Sequence, residues 1–225
     1  MDTQFLTKTP LFAGIREEDM RHLLGCLDAR EKRYEKGDVI FRAGEPVSRI
    51  GLVLEGSVNM VVTLYWGSSR IFGHMEAGDV FGENYAAVPG QLLPGDIVAA
   101  QPCRVLFLDL SRIYTVCHHG CRFHHRLIEN MLQVSAQKNL RLAERMLYTS
   151  GRTIRDRLLS YLSAQASLQG SAHFRIPFNR QELADYLGVE RSALSAELGK
   201  MKREGLVSFR KNEFTLNGRT RETAI

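Results

Sequence analysis

No stretch of the chain approaches the roughly 18 consecutive apolar residues of a membrane-spanning helix. The opening MDTQFLTKTP carries an early acid and has neither the basic start nor the apolar run of a secretory signal, so no membrane association and a cytoplasmic location are expected. Cysteine is scarce, with Cys26, Cys103, Cys117 and Cys121 the only four, which points to reduced thiols rather than a disulfide framework. There is no nucleophile elbow and no glycine loop of the kind that cradles phosphates. The rival enzymatic reading, a cupin-like metal enzyme, needs a His-x-His pair, a Glu and a later His. The candidate strands hold only His74 with Glu76, and the next histidine is His118. No enzymatic activity is therefore expected. Internal repeats and low-complexity tracts are also missing.

What remains has the make-up of an ordinary folded protein: 44% hydrophobic and 24% charged over 225 residues, enough for one large domain or two small ones. Charge is unevenly spread. Met1 to Leu147 holds 17 basic and 17 acidic residues, while Tyr148 to Ile225 holds 13 and 8, so the whole excess of +5 lies in the last third. Clustered Lys and Arg raise local affinity for phosphate, and a neutral body with a basic tail suits a polyanionic partner; a solvated face would also satisfy the count.

From Arg33 to Asp109, short apolar or alternating runs (Val39 to Phe41, Gly51 to Leu54, Val58 to Leu64, Arg70 to Phe72, Ile97 to Ala100, Val105 to Leu108) are separated by turn pairs such as Gly37-Asp38, Gly78-Asp79 and Pro94-Gly95. Many short strands at this spacing predict a β-sandwich or barrel. From Arg122 to Thr149 there is no Gly or Pro. Leu127, Ile128, Met131, Leu132, Leu142 and Met146 repeat at helical spacing around a polar middle of Lys138 and Asn139. So long a stripe needs something to pack on, either a parallel copy of itself or its own β-domain. A further amphipathic helix is expected around Ile154, Leu158, Leu159 and Leu162, followed by a polar loop from Ser167 to Ser171.

The most informative stretch follows. Asn179 with Glu182 three residues on forms a helix start, and the helix runs through Leu183, Ala184 and Leu187 to a turn at Gly188-Val189. A second helix from Arg191 to Glu204 stops at Gly205. Two helices joined by a short Gly-containing turn make a helix-turn-helix. Leu194, Leu198 and Met201 form the buried stripe of the second helix, leaving Arg191, Ser192, Ser195 and Ala196 at the end that enters a major groove. Arg191 can pair bidentately with guanine, Ser192 and Ser195 can bond bases or phosphates, and Ala196 offers only apolar contact. Leu206 to Phe209 and Phe214 to Leu216 predict a two-stranded wing whose turn brings Arg210 and Lys211 to the phosphate backbone.

NRQELADYLGVERSALSAELGKMKREGLV resembles the helix-turn-helix of the Crp/Fnr family of bacterial transcription regulators. YEKGDVIFRAGE, LVLEGSV and EAGDVFGE resemble that family's cyclic-nucleotide-binding β-roll. The resemblance implies an α+β fold: an N-terminal β-roll (a double-stranded β-helix or jelly roll) over residues 1–121, a long dimerisation helix over 122–150, and a winged helix-turn-helix over 151–225. It implies a homodimeric, sequence-specific DNA-binding regulator, gated by a small-molecule, redox or metal signal at the roll. The expected partners are palindromic double-stranded DNA, a second copy, RNA polymerase and an unidentified small-molecule effector. By the resemblance Arg180 and Gln181 match phosphate-contacting positions, and Arg191, Ser192 and Ser195 match base-reading ones. Many members carry Glu where Ser192 stands and Arg where Ala196 stands, so the half-site of the best-known members is not expected to carry over.

The implied effector pocket comprises Phe81, Gly82, Glu83, Asn84, Gly95 and Asp96. The family's Glu for the ribose is kept as Glu83, but Leu93-Pro94-Gly95-Asp96 lacks the Arg that binds the cyclic phosphate, and Asp96 adds a like charge, so cAMP is not expected. Cys117, Cys121 and His124 or His125 would share a helix face, which leaves open a metal or redox site as well as plain packing. The cysteine cluster of the family's oxygen-sensing iron-sulfur members is missing. A haem- or metal-dependent gas or redox sensor, with His74 or Met75 as axial ligands in the haem case, is the alternative within the family. No cofactor and no metal ligand is assigned.

Overall fold

The computed structural model describes residues 2–67, 69–114 and 122–217. It divides into two compact units, Met1–Gln137 and Lys138–Ile225. Among the described residues no helix is long and apolar enough to cross a membrane.

The first unit opens with α1 (Thr3–Thr7), a 3-10 turn (Pro10–Phe12) and α2 (Glu17–Cys26). Strands β1 (Arg30–Tyr34), β2 (Val39–Phe41), β3 (Arg49–Glu55), β4 (Ser57–Thr63), β5 (Ser69–Glu76) and β6 (Val80–Phe81) follow. After α3 (Glu83–Ala87) come β7 (Asp96–Ala99), β8 (Cys103–Asp109) and α4 (Leu110–Tyr114). The strands form two four-stranded antiparallel sheets, β1-β8-β3-β6 and β2-β7-β4-β5.

Side-chain alternation assigns the two faces of the first sheet to different cores. Ile50, Leu52 and Leu54 of β3, with Leu106 and Leu108 of β8, meet α1, α2 and the start of the long helix. Val53, Val105 and Phe107 point the other way and join Val58, Met60, Ile97 and Ala99 of the second sheet. A sheet covered on both faces must be apolar throughout, which accounts for the unbroken buried run in β3. Gly51 lies in that run because a Cβ there would come within 2.2 Å of the Phe81 ring.

The long helix α5 (Arg122–Thr149) forms as its unbroken periodicity predicts, but its apolar residues do not share one face. Leu127 and Met131 are buried in the helix-side core and Ile128 packs against it, whereas Leu132 (69% exposed), Leu142 and Met146 (75% exposed) are open. Leu132, Ala136, Asn139, Ala143 and Met146 recur at alternating steps of four and three, the spacing of a coiled-coil seam, and all five are exposed.

The second unit continues with α6 (Ile154–Leu168), β9 (His173–Arg175), α7 (Arg180–Leu187), α8 (Arg191–Arg203), β10 (Val207–Arg210) and β11 (Glu213–Leu216). Thr153 and Asp156 make a capping box at the start of α6. That helix runs to Leu168, so the polar loop expected from Ser167 starts two residues later. The wing is three-stranded, not two-stranded: β9 pairs with β11, Phe174 opposite Phe214, in the order β10-β11-β9. Leu158, Leu162, Leu183, Leu187, Leu194 and Leu198, each fully buried, form the centre of this unit.

Candidate nucleic-acid interface

The first helix of the pair starts as its sequence dictates. Asn179 Oδ1 accepts from the amides of Gln181 (2.9 Å) and Glu182 (3.0 Å), and the Glu182 carboxylate accepts from the Asn179 amide at 2.7 Å. It ends at Gly188 in the left-handed conformation (φ 65°), with the Val189 amide bonded back to Ala184 O at 3.0 Å. In α8, Leu194, Leu198 and Met201 are fully buried, and the turn that opens the helix exposes Arg191, Ser192, Ser195 and Ala196 in whole or in part. The cap is Glu190, which accepts from the Ala193 amide at 2.9 Å and from the Ser192 hydroxyl. These bonds, the Ser192 hydroxyl first, hold the Glu190 carboxyl below its ordinary range. Ser192 has therefore committed its proton and faces outward as an acceptor.

The flanking cations are arranged differently from one another. Arg210 and Lys211 are exposed at the wing turn, where Lys211 adopts φ 54°. Gln181 is exposed and donates to Asp185 at 2.9 Å. Arg180 is half-buried, its guanidinium 4.7 Å from the Phe209 ring and 5.1 Å from that of Phe214, with Nη1 buried and unpartnered among the described residues. Burial lowers its pKa. A groove of about 630 Å³ runs between the start of α7 and the wing, lined by Phe178, Asn179, Arg180, Phe209, Lys211 and Asn212 among others.

Residues 31–119 match the family model of a cyclic nucleotide-binding domain, and residues 141–221 match that of a Crp-like helix-turn-helix domain. The chain belongs to the Crp/Fnr family. Similar proteins include electron transport regulator A of Shewanella oneidensis, 22% identical over 187 residues (80% of this chain and 72% of that protein). Transcriptional activator protein FnrL of Cereibacter sphaeroides is 22% identical over 198 residues (79% and 72%). Among solved structures, CprK complexed with OCPA has a TM-score of 0.64 at 16% identity, over 89% of this chain and 92% of that one, a likeness of fold.

The residues of the expected effector pocket lie around β2. Phe81 is buried, its ring 5.7 Å from that of Phe41, which lies a further 5.7 Å from Phe107. Gly82 takes φ 79° at the start of α3, Glu83 is buried and Asn84 is exposed. Gly95 is buried where a Cβ would come within 2.5 Å of Val61 O, and Asp96 accepts from the Ala43 amide at 2.7 Å. The Phe41–Ala43 segment thus touches both halves of the expected pocket, the Phe41 ring at Phe81 and Gly82 and the Ala43 amide at Asp96. The Asp96 carboxylate is bonded to the backbone.

Cys117 and Cys121 lie outside the described residues. His124 is 2% exposed, with Nδ1 unpartnered among the described residues, and His125 is exposed beside Glu129 at 3.3 Å. His74 and Met75 are consecutive on β5 and so point to opposite faces: His74 is exposed against Asn59 (2.6 Å), and Met75 packs into the inter-sheet core. Among the described residues no group of three His, Cys, Asp or Glu is placed to hold a metal ion.

Several residues at this interface escaped the sequence reading. Glu190 could have been found from its cap spacing, with an amide donor three residues on. Arg145, Arg155 and Arg157 reach the helix pair from α5 and α6 and carry no local signal, because their partners lie 30 to 49 residues away.

Proposed function

We propose that the protein is a homodimeric, sequence-specific transcription regulator whose β-roll receives a signal and whose paired α8 helices read a palindromic DNA site. The observation that carries this is the two-sidedness of α8: Leu194, Leu198 and Met201 are fully buried, and Arg191, Ser192 and Ser195 stand exposed at the end that would enter a groove. In this reading residues 1–121 sense, 122–150 pair two subunits and 151–225 read. Arg191, Ser192 and Ser195 meet bases; Arg180, Gln181, Arg210 and Lys211 meet or support contacts to phosphate. The open seam from Leu132 to Met146 supports pairing through α5, and Asn139 at its centre would fix one axial register.

The effector belongs to the region of Phe81, Gly82, Glu83, Asn84, Gly95 and Asp96. A cyclic nucleotide is disfavoured by the missing Arg and by the rings of Phe41, Phe81 and Phe107. The names of the fold neighbours point to unlike ligands, OCPA with CprK and c-di-GMP for the regulator CLP of Xanthomonas campestris, so the roll does not by itself set the ligand. RNA polymerase is the further partner at a promoter, and the cytoplasm the place of action. A signal shifts the equilibrium only if it binds one arrangement of the dimer better than the other.

The test is selection from random and genomic duplexes across a salt series, with native mass spectrometry of protein purified without oxygen. A dimer that enriches a palindrome with half-sites about 34–36 Å apart is expected. Enrichment of no sequence, or protection of a single asymmetric half-site, overturns the reading.

A further inference from the structure

The turn between α7 and α8 is held from outside. A helix leaves its last four carbonyls without intrahelical donors, and here guanidinium groups supply them. Arg145 of α5 donates Nη2 to Asp185 O and Nε to Tyr186 O, both at 3.1 Å. Arg157 of α6 donates Nη1 to Leu187 O (3.1 Å) and Gly188 O (3.2 Å), while its Nε holds Gly151 O at 2.9 Å. The Arg145 cation also lies 5.7 Å from the Tyr186 ring.

These two clamps differ in where they are rooted. Arg157 belongs to α6, whose Leu158 and Leu162 share one small core with the turn it holds. Arg145 belongs to the long helix and immediately precedes Met146, the last apolar residue of the open seam. At 3.6 residues per turn, Arg145 and Tyr148 project from the flank opposite the line of Asn139, Ala143 and Met146. Tyr148 is buried against Tyr161 (5.6 Å between ring centroids). The last turns of α5 therefore have two working faces: an open apolar one and one bonded to the helix-turn-helix. Ring contacts such as Tyr148 to Tyr186 can slide, whereas a planar fork on two successive carbonyls fixes direction as well as distance.

We propose that Arg145 is a positioning residue that transmits the arrangement of the α5 seam to the turn before the reading helix, so that a change in how two long helices pair re-aims α8. The proposal rests on the reading of the protein as a paired DNA reader. It predicts coupling between a substitution in the seam and backbone protection at Gly188 and Val189, whose amides bond Asp185 O and Ala184 O.

The experiment uses the full chain in four forms: native, Asn139→Leu, Arg145→Gln and the double variant, with Arg145→Lys and its Asn139→Leu double as a second pair. Replacing a seam Asn with Leu strengthens pairing. Hydrogen exchange at Gly188 and Val189 is expected to slow by about threefold or more on Asn139→Leu in the native background, a factor typical of linked sites. In the Arg145→Gln background the same substitution should leave that exchange unchanged. If Arg145→Gln fails to fold, Arg145→Lys, which keeps the charge but not the fork, carries the test with the same expected loss. A merely structural Arg145 would speed exchange equally with and without the seam change. Equal slowing in the Arg145 backgrounds, or no slowing in the native one, overturns the inference while leaving the dimer reading intact. A native chain that is monomeric by native mass spectrometry overturns that reading instead.

Discussion

Arg155 and Glu204 meet in a two-bond fork, Nη1 to Oε2 and Nη2 to Oε1, each at 2.8 Å, and the same guanidinium reaches Glu197 with Nε at 2.6 Å. One arginine of α6 thus ties down the back of the reading helix at two points and cancels acidic charge that would otherwise oppose DNA.

The fork gives the second unit an acid limit. Its bond to Arg155 holds Glu204 below the ordinary value of 4.5, as the Ser192 hydroxyl does for Glu190 and the Thr153 side chain holds Asp156 below 3.8. A carboxylate whose folded pKa is depressed contributes stability that is fully present above its unfolded pKa and is lost as pH falls through the folded one. Urea midpoints are expected to hold from pH 7 to about 5 and to fall steadily below about 4.5. A midpoint that is level down to about pH 3 would show that these bonds contribute nothing.

Arg191→Ala is expected to flatten the preference at one base pair of each half-site by about 1–3 kcal/mol, with affinity for random DNA little changed. Selection on partly randomised duplexes measures it. A variant that enriches the native site removes Arg191 from base reading.

Lys211→Ala should weaken all sequences alike and lower the slope of log K against log salt by about 0.9 for each phosphate the wing no longer neutralises. Arg180→Ala should also weaken every sequence alike, but it loosens the wing too, since the guanidinium lies on Phe209 and Phe214. A sequence-dependent weakening in either variant contradicts its assignment to the backbone.

Asn130 is 3% exposed and donates Nδ2 to Leu11 O (2.9 Å) and Ala13 O (2.8 Å), pinning the N-terminal segment to α5. Asn130→Leu removes the donor to both carbonyls and should cost about 2 kcal/mol. Denaturant titration of the full chain reads this, and an unchanged midpoint would mean that water takes over both bonds.

The helix pair was legible because its signals are local: Asn179 to Glu182, Gly188, and the spacing of Leu194, Leu198 and Met201 each lie within a turn or two of chain. Strand β1 was not, since REKRY buries only Tyr34 and is held by pairing with β8 some 70 residues on. Strand β9 has three residues and exists through Phe214, forty positions away, so sequence alone shows only two strands of the wing. In α5 periodicity identified the helix but could not say that Leu127 and Leu132 face different surroundings, because that depends on what the first unit packs against it. At the candidate interface the exposed residues of α8 were readable from the stripe they leave behind. The folding of Arg180 onto aromatic rings was not, because Phe209 and Phe214 come from another part of the chain.

The seat of the Phe81 ring exists because residue 51 ends in a hydrogen atom. One methyl group there would evict the ring from between the sheets, with Phe41 and Phe107 left to close over the gap or leave it open. Whether the roll's interior is solid or has room for a guest is thus decided on the neighbouring strand β3, where Gly51 stands opposite Phe81 in the sheet. Change at 51 would have to be matched by a smaller side chain at 81 for the interior to stay filled.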